Sequence, residues 1–402
     1  MDRAAGSGQI AHRAALGRRR AFPTIPTLEM KLLHVVGARP NFPKLAPVHR
    51  AARAGGHAQI VVHTGQHYDD AMSGSFFREL EIPEPDVNLE VGSHSHAVQT
   101  ARIMERIEPV LLEQRPDWVL VYGDVNSTAA AALVAVKLGL RVAHVEAGLR
   151  SRDRAMPEEI NRIVTDSIAD LLLTPSRDAD VTLRGEGVPE TRIAFVGNVM
   201  IDSLFHAMRH VPDGAGEPGA VVVTLHRPSN VDEPARLAAL VAALRAVAEA
   251  RAVVFPVHPR TRQRLVDARL DIGRVRLLDP IPYREMLGYV ANAHAVVTDS
   301  GGLQEETTAL GVPCFTVRDS TERPITVVEG TNRLVRDPAT LAGLVAAASR
   351  PASPRRPEGW DGHAGERVVR ALRDALAPAP STHGAHAAAA DPAPTAAAGA
   401  GR

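Results

Sequence analysis

Short apolar, β-branched runs alternate along this chain with longer stretches whose apolar positions recur at helical spacing. Residues 32–36, 60–63, 119–122, 142–145 and 171–173 read as strands, with 194–196 a weaker candidate. Helical periodicity fills 98–113, 127–138 and 158–169 between several of them. The segment VPDGAGEPG at 211–219 is too rich in turn residues to continue either pattern, and it marks a break between two units. A second set of strands follows at 220–225, 252–257, 275–278, 295–298 and 314–317. Helices near 234–250, 283–291 and 302–310 separate them, and a last helix is expected around 366–376. This alternation predicts an α/β protein of two Rossmann-like halves, each a parallel sheet covered by helices. The expected division is a leader at 1–29, a first domain at 30–205, a second at 206–363 and a tail at 377–402.

Composition narrows the function classes. The 402 residues carry 46 basic and 46 acidic side chains, which argues against a polybasic nucleic-acid binder. Aromatics make up 3%, too few for base stacking on single-stranded nucleic acid as the main activity. Cys314 is the sole cysteine, which rules out an intrachain disulfide and a cysteine-based zinc site. No apolar run approaches the roughly 18 residues needed to span a membrane. The neutral total conceals a basic leader, with Arg3, Arg13, Arg18, Arg19 and Arg20 against Asp2 and Glu29. That leader has no apolar core of the kind a signal peptide needs. Met30 fits a translation start, and a disordered basic leader fits equally well. The tail, rich in alanine and proline, reads as disordered. Chemistry is expected between these ends.

Open α/β sheets bind ligands at the carboxyl ends of their strands, so the loops there are the candidates. The first strand runs into GARPNFPK at 37–44, which matches neither the dinucleotide fingerprint nor the P-loop. Arg39 and Lys44 on that turn suit an anion such as a diphosphate, unless they are merely solvated loop cations. The strand at 295–298 runs into Asp299, Ser300, Gly301 and Gly302 at a helix start. Free N–H groups there would seat a phosphate, with Glu305 and Glu306 one turn further on to accept from ribose hydroxyls. An ordinary helix cap is the competing reading. His226 and Arg227 leave the strand at 220–225 in the same half. In the first half, Asp124 follows one strand and Glu146 the next, which places two carboxylates side by side at one sheet edge. Such a pair divides naturally into base and acid. Glu158 and Glu159 open a helix, where acids also occur for purely structural reasons.

These motifs together resemble the non-hydrolysing UDP-N-acetylglucosamine 2-epimerases. GARPNFPK, TGQHYDDAM, YGDVNST, HVEAGLRS, MPEEINR, VGNVMIDS, TLHRPSN, TDSGGLQEE and RDSTERP occur in that family's order, from about Met30 to WDGHAGER at 360–367. The resemblance implies two domains facing across a cleft in the glycosyltransferase-B arrangement, with a C-terminal helix at 364–376 returning to the first. It also implies a cytoplasmic homodimer acting on a UDP-sugar, without metal or redox cofactor.

By that resemblance, Arg39 and Lys44 belong to the nucleotide and active-site cleft, and Asp124, Glu146 and Glu158 are the candidate acid–base carboxylates. His226 is the active-site histidine near the diphosphate. Ser300, Gly301 and Gly302 form the phosphate turn, and Glu306 is the ribose-binding acid. Arg323, in the TERP segment, receives no firm role. The implied reaction expels UDP, forms 2-acetamidoglucal and adds UDP back to the opposite C2 epimer. Pro43, Pro228 and the Tyr68-Asp69 pair depart from the family pattern, the last two where relatives activated by a second substrate molecule differ. An epimerase of another UDP-2-acetamido sugar, a hydrolysing epimerase and a B-type glycosyltransferase are the alternative readings.

Overall fold

The computed structural model describes residues 29–65, 79–353 and 355–376, apart from the side chain of Arg39. The leader up to residue 28, the tail at 377–402 and the TGQHYDDAM motif from Gln66 onward, with Tyr68 and Asp69, lie outside the described residues.

The alternation becomes two parallel sheets. The first contains β1 (Lys31–Val36), β2 (Ala58–His63), β3 (Val87–Asn88), β4 (Trp118–Tyr122), β5 (Val142–Val145), β6 (Leu171–Thr174) and β7 (Ile193–Phe195). Its spatial order is β3-β2-β1-β4-β5-β6-β7, all pairs parallel. The second contains β8 (Val221–Thr224), β9 (Val253–Pro256), β10 (Arg276–Leu278), β11 (Ala295–Thr298), β12 (Cys314–Thr316) and β13 (Asn332–Leu334), in the order β10-β9-β8-β11-β12-β13. Chain order reverses between β1 and β4 in one sheet and between β8 and β11 in the other. Those reversals open the crevices where such sheets bind ligands.

Apolar side chains cover both faces of each sheet, which is why the central strands read as unbroken apolar runs. β3 and β13 were not expected. Both are edge strands of two or three residues, with little apolar content to mark them.

The helix Val199–Met208 runs between the sheets and joins them. Ile201, Leu204 and Ala207 on it pack with Leu287 and Ala309 of the second unit and with Trp360. Its Ser203 hydroxyl donates to the Pro43 carbonyl of the first unit. Asp202 accepts from the backbone N–H groups of Ala364 and Gly365, at 3.1 and 2.8 Å, and so fixes the start of the last helix, Ala364–Leu376. That helix lies against Phe42–Ala54, and the Trp118 indole donates to the Leu372 carbonyl at 3.2 Å. Pro43 occupies the first turn of Phe42–Ala54, where no intrahelical N–H bond is forfeited, and Pro228 does the same in Pro228–Val231. Among the described residues, no helix is long and apolar enough to cross a membrane.

Candidate active site

Register places the carboxyl ends of β1, β4 and β5 together, since β4 pairs with both of the others. The chain leaves them at Gly37, Gly123 and Glu146. Gly123 has φ +64°, and a Cβ there would sit 2.5 Å from the Lys44 ammonium and 3.1 Å from a Glu146 oxygen. Glycine is required because the Lys44–Glu146 ion pair occupies that space. Glu146 itself adopts φ +73°, a left-handed conformation costly for a side-chain-bearing residue, which turns its carboxylate toward Lys44. Both partners of the pair are buried.

Asp124 follows immediately after Gly123. Its Oδ2 accepts from Arg162 Nε at 2.9 Å and Nη2 at 2.6 Å. Burial favours its neutral form, but Arg162, Lys44 and Arg323 outweigh burial and hold the carboxyl below its usual range. Arg162 is held in turn by Glu159, whose carboxylate accepts from Ser151 and Arg152 N–H groups at 2.8 Å each. Glu159 therefore ties the MPEE helix to the preceding loop. Glu158, half-buried in the same first turn, makes no hydrogen bond or ion pair with any described residue. Behind the site, both ring nitrogens of buried His144 face acceptors, Asp166 Oδ1 at 2.6 Å and the Gly123 carbonyl at 2.8 Å. This contact anchors the turn that presents Asp124.

Across the cleft, β8 and β11 lie side by side and end in His226 and Asp299. Asp299 is fully buried and accepts from the His226 N–H at 3.0 Å, the Arg227 N–H at 2.9 Å and the Asn230 amide at 3.1 Å. Burial pushes its pKa up, yet His226 and these donors bring it net below the ordinary value. The His226 ring is half exposed, with Nδ1 3.0 Å from Asp299 Oδ1 and the rest of the imidazole presented outward. Gly301 begins the helix Gly301–Leu310. A Cβ at Gly301 would meet the Arg323 guanidinium at 2.7 Å and a Glu322 oxygen at 3.0 Å, so a side chain there would have to displace this ion pair.

Arg323 joins the halves. Its guanidinium bridges Glu146 of the first sheet at 3.2 Å and Glu305 of the second at 2.9 Å, and also pairs with Glu322. Glu322 additionally pairs with Arg318 at 2.8 Å, and its two arginines overcome burial to hold it well below the usual carboxylate range. Lys44, Glu146, Arg323 and Glu305 thus form an alternating line of charge across the cleft. Glu305 accepts from Asn198 at 2.9 Å, while its Oε2 is buried with no hydrogen-bond partner, and burial raises its pKa despite Arg323. Next to it, Glu306 accepts from the Tyr283 hydroxyl at 2.8 Å, and burial raises its pKa to about 7.

Of the residues singled out by sequence, Lys44, Asp124 and Glu146 converge on one side of the cleft, and His226, Ser300, Gly301, Gly302 and Glu306 line the strand ends on the other. Glu158 stands apart, and Arg39 heads a 3-10 turn, Arg39–Asn41, with its side chain outside the description. Sequence reasoning gives no role to Arg162, Asp299 or Glu322 and none beyond position to Arg323, and it reads Glu305 with Glu306 as an acceptor from ribose hydroxyls, whereas Glu305 pairs with Arg323. Arg162 carried a signal in its position three residues after Glu159; Asp299 carried one in following a strand directly.

Two parallel sheets with opposed switch-point crevices and a charged seam between them define a two-domain α/β protein of the glycosyltransferase-B-like fold. A family described as UDP-N-acetylglucosamine 2-epimerase matches residues 49–373, and the chain belongs to that family. It is 45% identical over 320 residues to a UDP-N-acetylglucosamine 2-epimerase homolog of Methanococcus maripaludis, covering 76% of this chain and 88% of that protein. It is equally, 45%, identical over 313 residues to a UDP-2,3-diacetamido-2,3-dideoxy-D-glucuronate 2-epimerase of Pseudomonas aeruginosa, again covering 76% and 88%. The crystal structure of the Methanocaldococcus jannaschii UDP-GlcNAc 2-epimerase in complex with UDP-GlcNAc and UDP superposes with a TM-score of 0.77 at 39% identity, covering 85% and 99%.

Proposed function

We propose that this chain interconverts UDP-N-acetylglucosamine and UDP-N-acetylmannosamine through elimination and re-addition of UDP. The observation that carries the reading is the convergence of Asp124, Glu146 and Lys44 opposite His226 and the Ser300, Gly301 and Gly302 helix start. The C2 proton of an N-acetylhexosamine is not acidified by a carbonyl, so direct deprotonation is unfavourable. Breaking the C1–O bond first sends that electron pair to UDP and builds positive charge at C1. The helix start, His226 and Arg39 stabilise the departing diphosphate. Asp124, kept ionised, takes the C2 proton as the C1–C2 double bond forms. A carboxylic acid on the other face, with Glu146 and Glu158 the candidates, returns a proton to C2, and the UDP oxygen re-forms the bond to C1. Glu306 accepts from the ribose hydroxyls, and Lys44 keeps Glu146 in place until substrate enters.

The two units are taken as 30–205 and 206–363, with 364–376 returning to the first. The continuous helix Val199–Met208 passes through that limit and serves as their connector. Family resemblance supports a cytoplasmic homodimer. Val98 and Leu112 on one helix and Ile160 and Val164 on another leave exposed apolar surface on the first unit for such a contact. Incubation with UDP-N-acetylglucosamine, followed by NMR of the products, should give both UDP-sugar epimers and little free sugar. Free N-acetylmannosamine with UDP would indicate hydrolysis instead. Turnover of the diacetamido uronate alone would move the substrate to that sugar.

A further inference from the structure

Away from the cleft, Glu81, His206 and His210 each offer one ligand atom, and these atoms lie within 4.8 Å of one another. We propose that they form a binding site for a divalent transition cation of the zinc type, which fastens the segment carrying Glu81 to the connector helix. Two imidazoles and a carboxylate are the ligand set such ions favour. Zinc–ligand bonds of about 2.0–2.2 Å in tetrahedral geometry put neighbouring ligand atoms roughly 3.3 Å apart. His206 Nε2 and Glu81 Oε1 are already 3.4 Å apart. His206 Nε2 is buried and makes no hydrogen bond. His206 lies in the last turn of the connector and His210 in the turn just beyond its end at Met208, with ring centroids 5.4 Å apart.

The supports of the cluster are anchored in the cores. Leu80 and Ile82, on either side of Glu81, are buried in the first core, so the Glu81 side chain is directed outward between them. Leu204 and Ala207 bury the connector face next to His206. The Glu79 carbonyl also accepts from Arg284 of the second unit at 2.6 Å, so an ion here would reinforce an existing tie between the units. None of the three ligand residues belongs to the acid–base set proposed for epimerisation.

The test uses the full chain, stripped with a chelator and dialysed. Zn²⁺ titration by calorimetry should show one equivalent bound, and Co²⁺ should give the intense visible bands of a low-coordinate nitrogen–oxygen site. His210→Ala and Glu81→Ala replace exposed residues and should keep the melting temperature of the metal-free protein, while weakening Zn²⁺ binding by about tenfold or more. Excess Zn²⁺ should raise the melting temperature of the parent chain and not that of either variant. The chain has 17 histidines in all, so binding elsewhere would survive both substitutions. No Zn²⁺ binding by the parent chain, or equal binding by both variants, would overturn the proposal.

Discussion

Glu306 shows what burial does to a single group. Its pKa of about 7 lies well above the ordinary 4.5, because the carboxylate form is desolvated and only Tyr283 donates to it. A carboxyl raised in the folded state gives stability that is full below the unfolded value and lost as pH rises through the folded one. Glu306 therefore costs stability progressively between pH 4.5 and about 7, by roughly 3 kcal/mol in total. Glu306→Gln keeps an acceptor for Tyr283 but cannot titrate. Its stability relative to the parent chain should increase between pH 5 and pH 8, as read from urea melts at both pH values. Asp124 shows the opposite case, since Arg162 keeps it charged. Asp124→Asn should lower turnover by about 10²–10⁴-fold while calorimetry still registers UDP binding. Loss of UDP binding along with turnover would mean that the carboxylate is structural.

Elements determine how such residues meet. Turns at the strand ends carry the site, and Gly123 combines close approach to the ion pair with a left-handed φ. Gly123→Ala would force a Cβ into the Lys44–Glu146 pair at a left-handed φ, at a cost of about 1–3 kcal/mol, and turnover should fall with it. Leu372 on the returning helix is fully buried, and Leu372→Ala should destabilise the chain by about 2–5 kcal/mol in urea melts without altering the KM for substrate. Strands were legible in sequence where both faces are covered, as with β4 and β5, since burial on both sides selects continuous apolar runs. β3 and β13 escaped because an edge strand of two or three residues leaves no such run. The site was legible up to its strand ends and no further. Lys44 and Glu146 are 102 positions apart, and Glu146 and Arg323 are 177 apart, so only the fold reveals which charges are paired.

Across the whole molecule, the seam of charge is the feature that makes two Rossmann-like units into one site. Arg323 reaches carboxylates on both sheets; removing it would leave Glu146 to Lys44 and Glu322 to Arg318, and Glu305 buried with no cation paired to it among the described residues. Arg323→Ala should therefore cut turnover sharply and also lower the melting temperature, because buried Glu305 loses its counter-charge and the link between the sheets is broken. Two cations of the seam, Lys44 and Arg323, are paired with acids, so the seam itself adds little net charge to the neutral total of 46 basic and 46 acidic groups. The claim on which everything else depends is that this seam moves a proton at C2 of a UDP-linked sugar. Incubation with UDP-N-acetylglucosamine in D₂O, read by NMR and mass, tests it most directly. Deuterium should enter at C2 of both epimers, and this exchange should vanish in Asp124→Asn and Glu146→Gln. Epimerisation without solvent deuterium at C2 would contradict the account.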